Sequence, residues 1–151
     1  MQTVSDILRF KKTESLCSVQ PQATVFEALQ VMAEKNIGAV LVLDCGKLVG
    51  IFSERDYARK VVLKDRSSKT TQVQELMTSK FFWVLPSDSL EKCMLVMSEK
   101  HIRHLPVLEQ DELRGIISIG DVVNAVISRQ KKTIHDMENY ICGSYGADIN
   151  T

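Results

Sequence analysis

The chain repeats itself, and that limits its fold more than any other feature. Displaced by 65 residues, the middle of the sequence falls on itself without a gap. Val19 and Pro21 align with Val84 and Pro86, and Met32, Glu34, Lys35 and Ile37 align with Met97, Glu99, Lys100 and Ile102. Val42 and Leu43 align with Val107 and Leu108. Leu48, Gly50, Ile51, Ser53 and Asp56 align with Leu113, Gly115, Ile116, Ser118 and Asp121. Glycines and polar residues are among these identities, so shared amphipathic periodicity does not account for them.

Each copy has the same pattern of elements. A short apolar stretch (Cys17 to Val19; Phe82 to Leu85) runs into Pro21 or Pro86, which removes a ladder donor and ends the strand. A helix follows. In the first copy Thr24 and Glu27 have capping-box spacing, and Val25, Ala28, Leu29 and Met32 share one face. In the second, Leu90, Cys93, Met94 and Met97 take those places. Two β-type runs joined by a tight turn come next: Ala39 to Leu43 with Leu48 to Phe52, and Leu105 to Leu108 with Leu113 to Ile117. A second helix then runs from Glu54 to about Leu63, and from Gly120 to about Ser128.

A unit of about 55 residues buries too little surface to be secure alone. Two copies packed face to face about a pseudo-twofold axis solve that problem. The expected fold class is therefore mixed α/β (α+β), built as two β-α-β-β-α repeats. Residues 1–66 form the first repeat with its lead-in, 67–130 the second, and 131–151 a C-terminal amphipathic helix and tail. The polar stretch Lys64 to Gln72 reads as the linker. Val73 to Met77 reads as a lead-in helix resembling Val4 to Leu8 at an offset of 69, four residues longer, with the extra length around Lys11 to Ser15. Ile134, Met137, Tyr140 and Ile141 make a helical stripe that Gly143 and Gly146 would end; it has no counterpart after the first copy.

Bulk properties narrow the function classes. Hydrophobic residues make up 44% and charged residues 25%, with zero formal net charge, which fits a globular protein and disfavours a dedicated nucleic-acid binder. No apolar run approaches the roughly 20 residues that span a bilayer, and the stretch MQTVSDILRFKK has no apolar core of a secretory signal. Cys17, Cys45, Cys93 and Cys142 form no CxxC pair and read as reduced thiols. The expected compartment is the cytoplasm, with an organellar matrix as the alternative. No nucleophile elbow, Walker loop or GxGxxG is present, and the repeat leaves no room for a catalytic domain, so the expectation is a non-enzyme.

Three segments resemble the CBS-domain family, named for cystathionine beta-synthase. They are Gly50-Ile51-Phe52-Ser53-Glu54-Arg55-Asp56, its partner Gly115-Ile116-Ile117-Ser118-Ile119-Gly120-Asp121, and Ile102-Arg103-His104-Leu105-Pro106-Val107. The resemblance runs from about Val4 to Ser128 and is especially close to stand-alone CBS-pair proteins of bacteria. It extends to plant organellar ones in the linker Arg66-Ser67-Ser68-Lys69 and the end Tyr140-Ile141-Cys142-Gly143-Ser144-Tyr145. It implies a pair of CBS folds that commonly dimerises into a disc. It also implies an adenosine ligand between the copies: AMP by preference, or ADP, ATP, S-adenosylmethionine or NAD(H). The nucleotide would be a regulatory ligand, no cofactor being required.

The residues that would bind it carry two readings each. Ser-x-x-Asp at a helix start is a capping box in its own right. The resemblance adds that Asp121 or Asp56 accepts hydrogen bonds from ribose hydroxyls, and the two roles coexist. Arg103 and His104 are either an exposed edge or face the ligand phosphate, where a guanidinium bonds in bidentate fashion. One cleft would combine Asp121, Ser118 and Gly120 with Arg103, His104, Ala23, Ile37 and Gly38, the glycine allowing close approach. The other would combine Asp56, Ser53 and Arg55 with Asp88, Ala39 and Ile102. Asp88 there either repels phosphate or serves a second ribose. His101 and His104 lack the further ligands a zinc site needs, so no metal is expected. The basic run Arg55, Arg59, Lys60, Lys64, Arg66 and Lys69 reads as a solvated face. Trp83 reads as core, while Phe81 or Phe82 is a candidate for stacking on adenine.

The leading reading is a ligand-sensing regulatory module that signals to an unidentified protein partner, as a homodimer. The alternative is a ligand-free dimerisation scaffold; an enzyme or a nucleic-acid binder ranks lower.

Overall fold

A computed structural model describes residues 2–11 and 17–142, with side chains as far as Tyr140. Helix α1 (Val4–Phe10) opens the chain, capped by Thr3 and Asp6 in a reciprocal box. The first repeat follows as β1 (Ser18–Val19), α2 (Val25–Lys35), β2 (Ala39–Asp44), β3 (Lys47–Ser53) and α3 (Glu54–Asp56), which runs on as a π-helical stretch (Tyr57–Val62). Helix α4 (Val73–Leu76) leads to α5 (Leu90–Lys100), β4 (His104–Glu109), β5 (Glu112–Ser118) and α6 (Ile119–Cys142).

The repeat is visible in local geometry as well as in element order. Strand β2 pairs antiparallel with β3, and β4 with β5, each with a bulge at the same place, after Val42 and after Val107. Strand β1 joins β2 in parallel, and Val84 makes the equivalent parallel bridge to Val107. Each hairpin turns in two residues with positive φ: Cys45 and Gly46 at 50° and 81°, Gln110 and Asp111 at 52° and 63°. That backbone is the mirror-image turn whose twist matches the flanking strands. Helices α2 and α5 both end on a left-handed residue, Asn36 or His101. Thr24 caps α2 through the Glu27 amide; Ser89 caps α5 through that of Lys92.

Three apolar clusters hold the repeats together. Val25, Ala28, Met32, Val40, Val42, Phe52 and Val61 fill the first repeat, and Val84, Leu90, Cys93, Met97, Leu105, Val107 and Ile117 fill the second. Between them, Ala39, Leu41 and Ile51 pack against Leu113 and Ile116, so β3 and β5 face each other across the pseudo-twofold. The lead-in helices are exchanged. Val4 and Ile7 of α1 belong to the second repeat's core, and the Val4 and Ser5 amides donate to the Asp88 and Pro86 carbonyls. Val73 of α4 belongs to the first repeat's core and donates to the Ala23 carbonyl. The linker is tied down too, since the Val25 and Phe26 amides donate to the carbonyls of Thr71 and Ser68.

Three expectations need correction. The second helix of the second repeat and the C-terminal amphipathic helix are one 24-residue element, α6. Arg129-Gln130-Lys131-Lys132 carries no glycine, proline or cap to interrupt it, and these are strong helix formers. Residues Gly143 and Gly146, expected to end this helix, lie outside the described residues. Trp83 is 50% exposed rather than core, because Val84 alone of that segment points inward. The first strand of the second repeat shrinks to the Val84 bridge.

Candidate functional site

A cleft of about 960 Å³ opens between the two repeats. That is at the upper end of the range that holds a small-molecule ligand. Its walls come from α1 and the residue after it (Ile7, Leu8, Phe10, Lys11), from the end of α2 into β2 (Lys35 to Ala39), and from β4, β5 and α6 (His104, Arg114 to Ile116, Ser118, Asp121, Asn124). The left-handed turn at Asn36 swings the chain so that Ile37 and Gly38 enter the wall. The wall is close-fitting at Gly38. A Cβ on it would lie 3.3 Å from Glu54 Oε1 and 3.5 Å from two atoms of the His104 ring, which comes from the other repeat.

The start of α6 carries the chemistry. Ser118 N donates to Asp121 Oδ2 at 2.8 Å, and Asp121 N donates to Ser118 Oγ at 3.1 Å. The Ser-x-x-Asp box is therefore a working cap. The same Oδ2 takes an ion pair from Lys11 Nζ at 2.9 Å, and that ammonium also donates to the Ile116 carbonyl at 2.9 Å. Oδ1 of Asp121 accepts nothing from a described residue, and Asp121 lines the cleft. Burial holds the His104 imidazole below its ordinary pKa, helped by the nearby Lys11 and Arg103 charges and opposed by Asp121. That shift disfavours the charged form of the ring. Among the described residues the cationic lining is Lys11, Lys35 and Arg114, and the carboxylate is that of Asp121.

Of the residues expected in this cleft, Ile37, Gly38, His104, Ser118 and Asp121 line it together. Ala23 packs on the first repeat's core, its carbonyl bonded to Val73. Gly120 is exposed beside Ser118. Arg103 is exposed, with its carbonyl receiving the Ile119 amide. Lys11 is the residue that sequence reasoning missed. It lies in the four-residue excess of the first lead-in, where the repeat offers no partner to compare.

The second set is arranged differently. Asp56 caps its helix through Oδ2, which accepts from Ser53 N and Ser53 Oγ, and its Oδ1 pairs with Lys60 at 3.2 Å. Both oxygens are occupied. Arg55 donates to the His101 carbonyl at 3.0 Å. Asp88 is drawn into its own turn by the Leu85 amide at 2.7 Å and by Lys92 at 3.1 Å. Ile102 packs on the second repeat's core, and Ala39 lines the first cleft. Phe82 lies under the Lys100 ammonium and Phe81 packs in the inter-repeat cluster, while Phe10 is the aromatic that lines the cleft. Among the described residues, no three His, Cys, Asp or Glu side chains group as a metal site, and no helix is long and apolar enough to cross a membrane.

Known proteins carry the same architecture. A CBS domain-containing mitochondrial protein of Arabidopsis thaliana, CBSX3, is 35% identical over 95% of this chain and 73% of its own length. The structure of a putative signal-transduction protein with CBS domains from Burkholderia ambifaria is 49% identical, with a TM-score of 0.82 over 85% of this chain and 96% of that one. The CBS domain protein PAE2072 of Pyrobaculum aerophilum, solved in complex with AMP, shares the fold at 24% identity, with a TM-score of 0.70 over 80% of this chain and 89% of that one. The sequence model of the CBS domain matches residues 4–63 and 73–128. Two copies of that domain, joined by exchanged lead-in helices around one open cleft, make this chain a member of the CBS-domain family.

Proposed function

We propose that this chain is an adenine-nucleotide-binding regulatory module, with AMP as the favoured ligand, that catalyses nothing itself and signals to a separate target protein. The observation that carries the reading is the Asp121 carboxylate. It stands in the cleft between the repeats with one oxygen fixed by the helix cap and Lys11, and the other accepting nothing from a described residue. An ionised acceptor so placed suits a ribose diol, and the cationic surplus around it suits a phosphate. The AMP complex of PAE2072 supports adenosine-type ligands for this fold. The Asp121 cleft, rather than the Asp56 set with both oxygens engaged, is the principal site.

Regulation by such a module requires a ligand that prefers one arrangement of the two repeats over another. The thin inter-repeat cluster of Ala39, Leu41, Ile51, Leu113 and Ile116 is where that preference would act. The proposed assembly is a homodimer. Exposed apolar side chains on α5 (Met94, Leu95) and α6 (Val123, Ile127) supply surface for it. The proposed compartment is the cytoplasm or an organellar matrix, the latter suggested by the mitochondrial relative.

The test is thermal unfolding with AMP, ADP, ATP, S-adenosylmethionine, NAD and NADH in large excess. A ligand at 100 times its dissociation constant stabilises by about 2.7 kcal/mol, which raises the midpoint by roughly 5–10 °C in a chain of this size. The expected result is a shift with AMP that disappears in Asp121→Ala. A protein that shifts with none of them, and that carries no 260 nm-absorbing ligand after heat denaturation, is a dimerisation scaffold instead.

A further inference from the structure

We propose that Lys11 is the phosphate-selecting residue of the cleft, making it favour a 5′-phosphorylated adenine nucleotide over the unphosphorylated nucleoside. This rests on the nucleotide-binding reading of the same cleft and adds to it the source of ligand preference. Arg103, the guanidinium the sequence offers for a phosphate, is exposed and absent from the cleft lining. His104 is in the lining, but burial and the neighbouring Lys11 charge disfavour its charged form. Arg114 is engaged by Glu109 and Glu112 at 3.3 Å each. Lys35 also lines the cleft, but among the described residues Lys11 is the ammonium held at the carboxylate that would take the ribose.

Its position is fixed by two contacts. Nζ lies 2.9 Å from Asp121 Oδ2 and 2.9 Å from the Ile116 carbonyl oxygen, and the side chain is only 25% exposed. An ammonium has three N–H donors. Among the described residues two are used, which leaves the third for a ligand oxygen. Asp121 is divided in a matching way: Oδ2 holds Lys11 and the Ser118 amide, while Oδ1 is left for hydroxyls. Ribose and phosphate would thus be read by two linked groups, the carboxylate by hydrogen-bond acceptance and the ammonium by charge. A nucleoside without a phosphate would meet only the carboxylate. Lys11 also ends the helix that packs on the second repeat, so phosphate occupancy would bear directly on how α1 sits against β5.

Calorimetric titration of the full chain with AMP and with adenosine tests this, in the unaltered protein and in Lys11→Met, Lys11→Arg and Arg103→Met. The unaltered protein is expected to prefer AMP. Lys11→Met should lower AMP affinity about ten- to a hundredfold while leaving adenosine within about threefold, since a charge-assisted hydrogen bond is lost only with the phosphate. Lys11→Arg should retain part of the preference, and Arg103→Met should retain nearly all of it. Lys11→Met also removes the ion pair to Asp121 and the bond to the Ile116 carbonyl, so a modestly lower unfolding midpoint is expected, and the affinities are compared at a temperature where each variant is folded. An AMP-to-adenosine ratio that survives Lys11→Met in a protein that binds AMP would overturn the assignment of Lys11 alone. Binding of neither ligand by the unaltered protein would overturn the nucleotide reading together with it.

Discussion

Leu8 lies so close over Gly115 that a Cβ on the glycine would stand 2.7 Å from Leu8 Cδ2. Met77 covers Gly50 in the same way, with Cγ 2.8 Å and Cβ 3.2 Å from such a carbon. Gly50 and Gly115 are repeat partners, and the residues that cover them come from the lead-in of the opposite repeat. Each glycine therefore exists to let a helix cross a strand, and the two crossings fasten the repeats to each other.

Gly50→Ala is predicted to destabilise the protein by about 1–3 kcal/mol, the usual cost of overpacking. Gly115→Ala should cost less, because only the methyl ends of Leu8 are near and they can rotate away. Combining Gly50→Ala with Met77→Ala should cost less than the two single changes added together. Urea denaturation of the four variants checks the order. Equal costs at the two glycines would remove the crossing as their cause.

His104 makes stability depend on pH. In the unfolded chain it takes a proton near its ordinary value of 6.5, and in the folded chain only at a lower pH, chiefly because of burial and then the Lys11 charge. The unfolded state then binds more protons, so stability falls as pH drops from about 6.5 through the folded value. Unfolding midpoints between about pH 7.5 and 5 should decline more steeply in the unaltered protein than in His104→Gln. A proton NMR titration should also find the His104 pKa raised in Lys11→Met. An unchanged pKa there would place Lys11 away from the ring.

Much of this was legible in the sequence because the repeat supplied an internal comparison. The strands, hairpins, caps and the Ser-x-x-Asp boxes recur at one spacing, and they recur in space. Lys11 was not legible, since it falls where the two lead-ins differ in length and nothing in its neighbourhood marks it as facing Asp121. The exchange of lead-ins was hidden as well: sequence adjacency assigns α1 to the first repeat, whereas the apolar faces of Val4 and Ile7 fit the second. The continuity of α6 was masked by treating the change in pattern near Ser128 as a boundary, although no helix-breaking residue stands there.

The hairpin turns and the thiols give a further check. Cys45 and Gln110 hold φ values of 50° and 52° without being glycine or asparagine. Cys45→Asn should therefore stabilise the protein by about 0.5–1 kcal/mol, because asparagine tolerates that conformation with less strain. Cys45 is exposed and Cys93 buried, with its thiol pushed up to about 11, mainly by desolvation. A thiol reagent should label Cys45 rapidly and Cys93 only on unfolding. Fast native labelling of Cys93 would contradict its place in the core.

A crystal structure grown with saturating AMP is the most direct test of the central claim. The account predicts AMP between the repeats, with ribose hydroxyls within hydrogen-bond distance of Asp121 Oδ1 and the phosphate on the Lys11 side of the cleft. AMP bound elsewhere, or a cleft at Asp121 that stays empty at saturation, would contradict it.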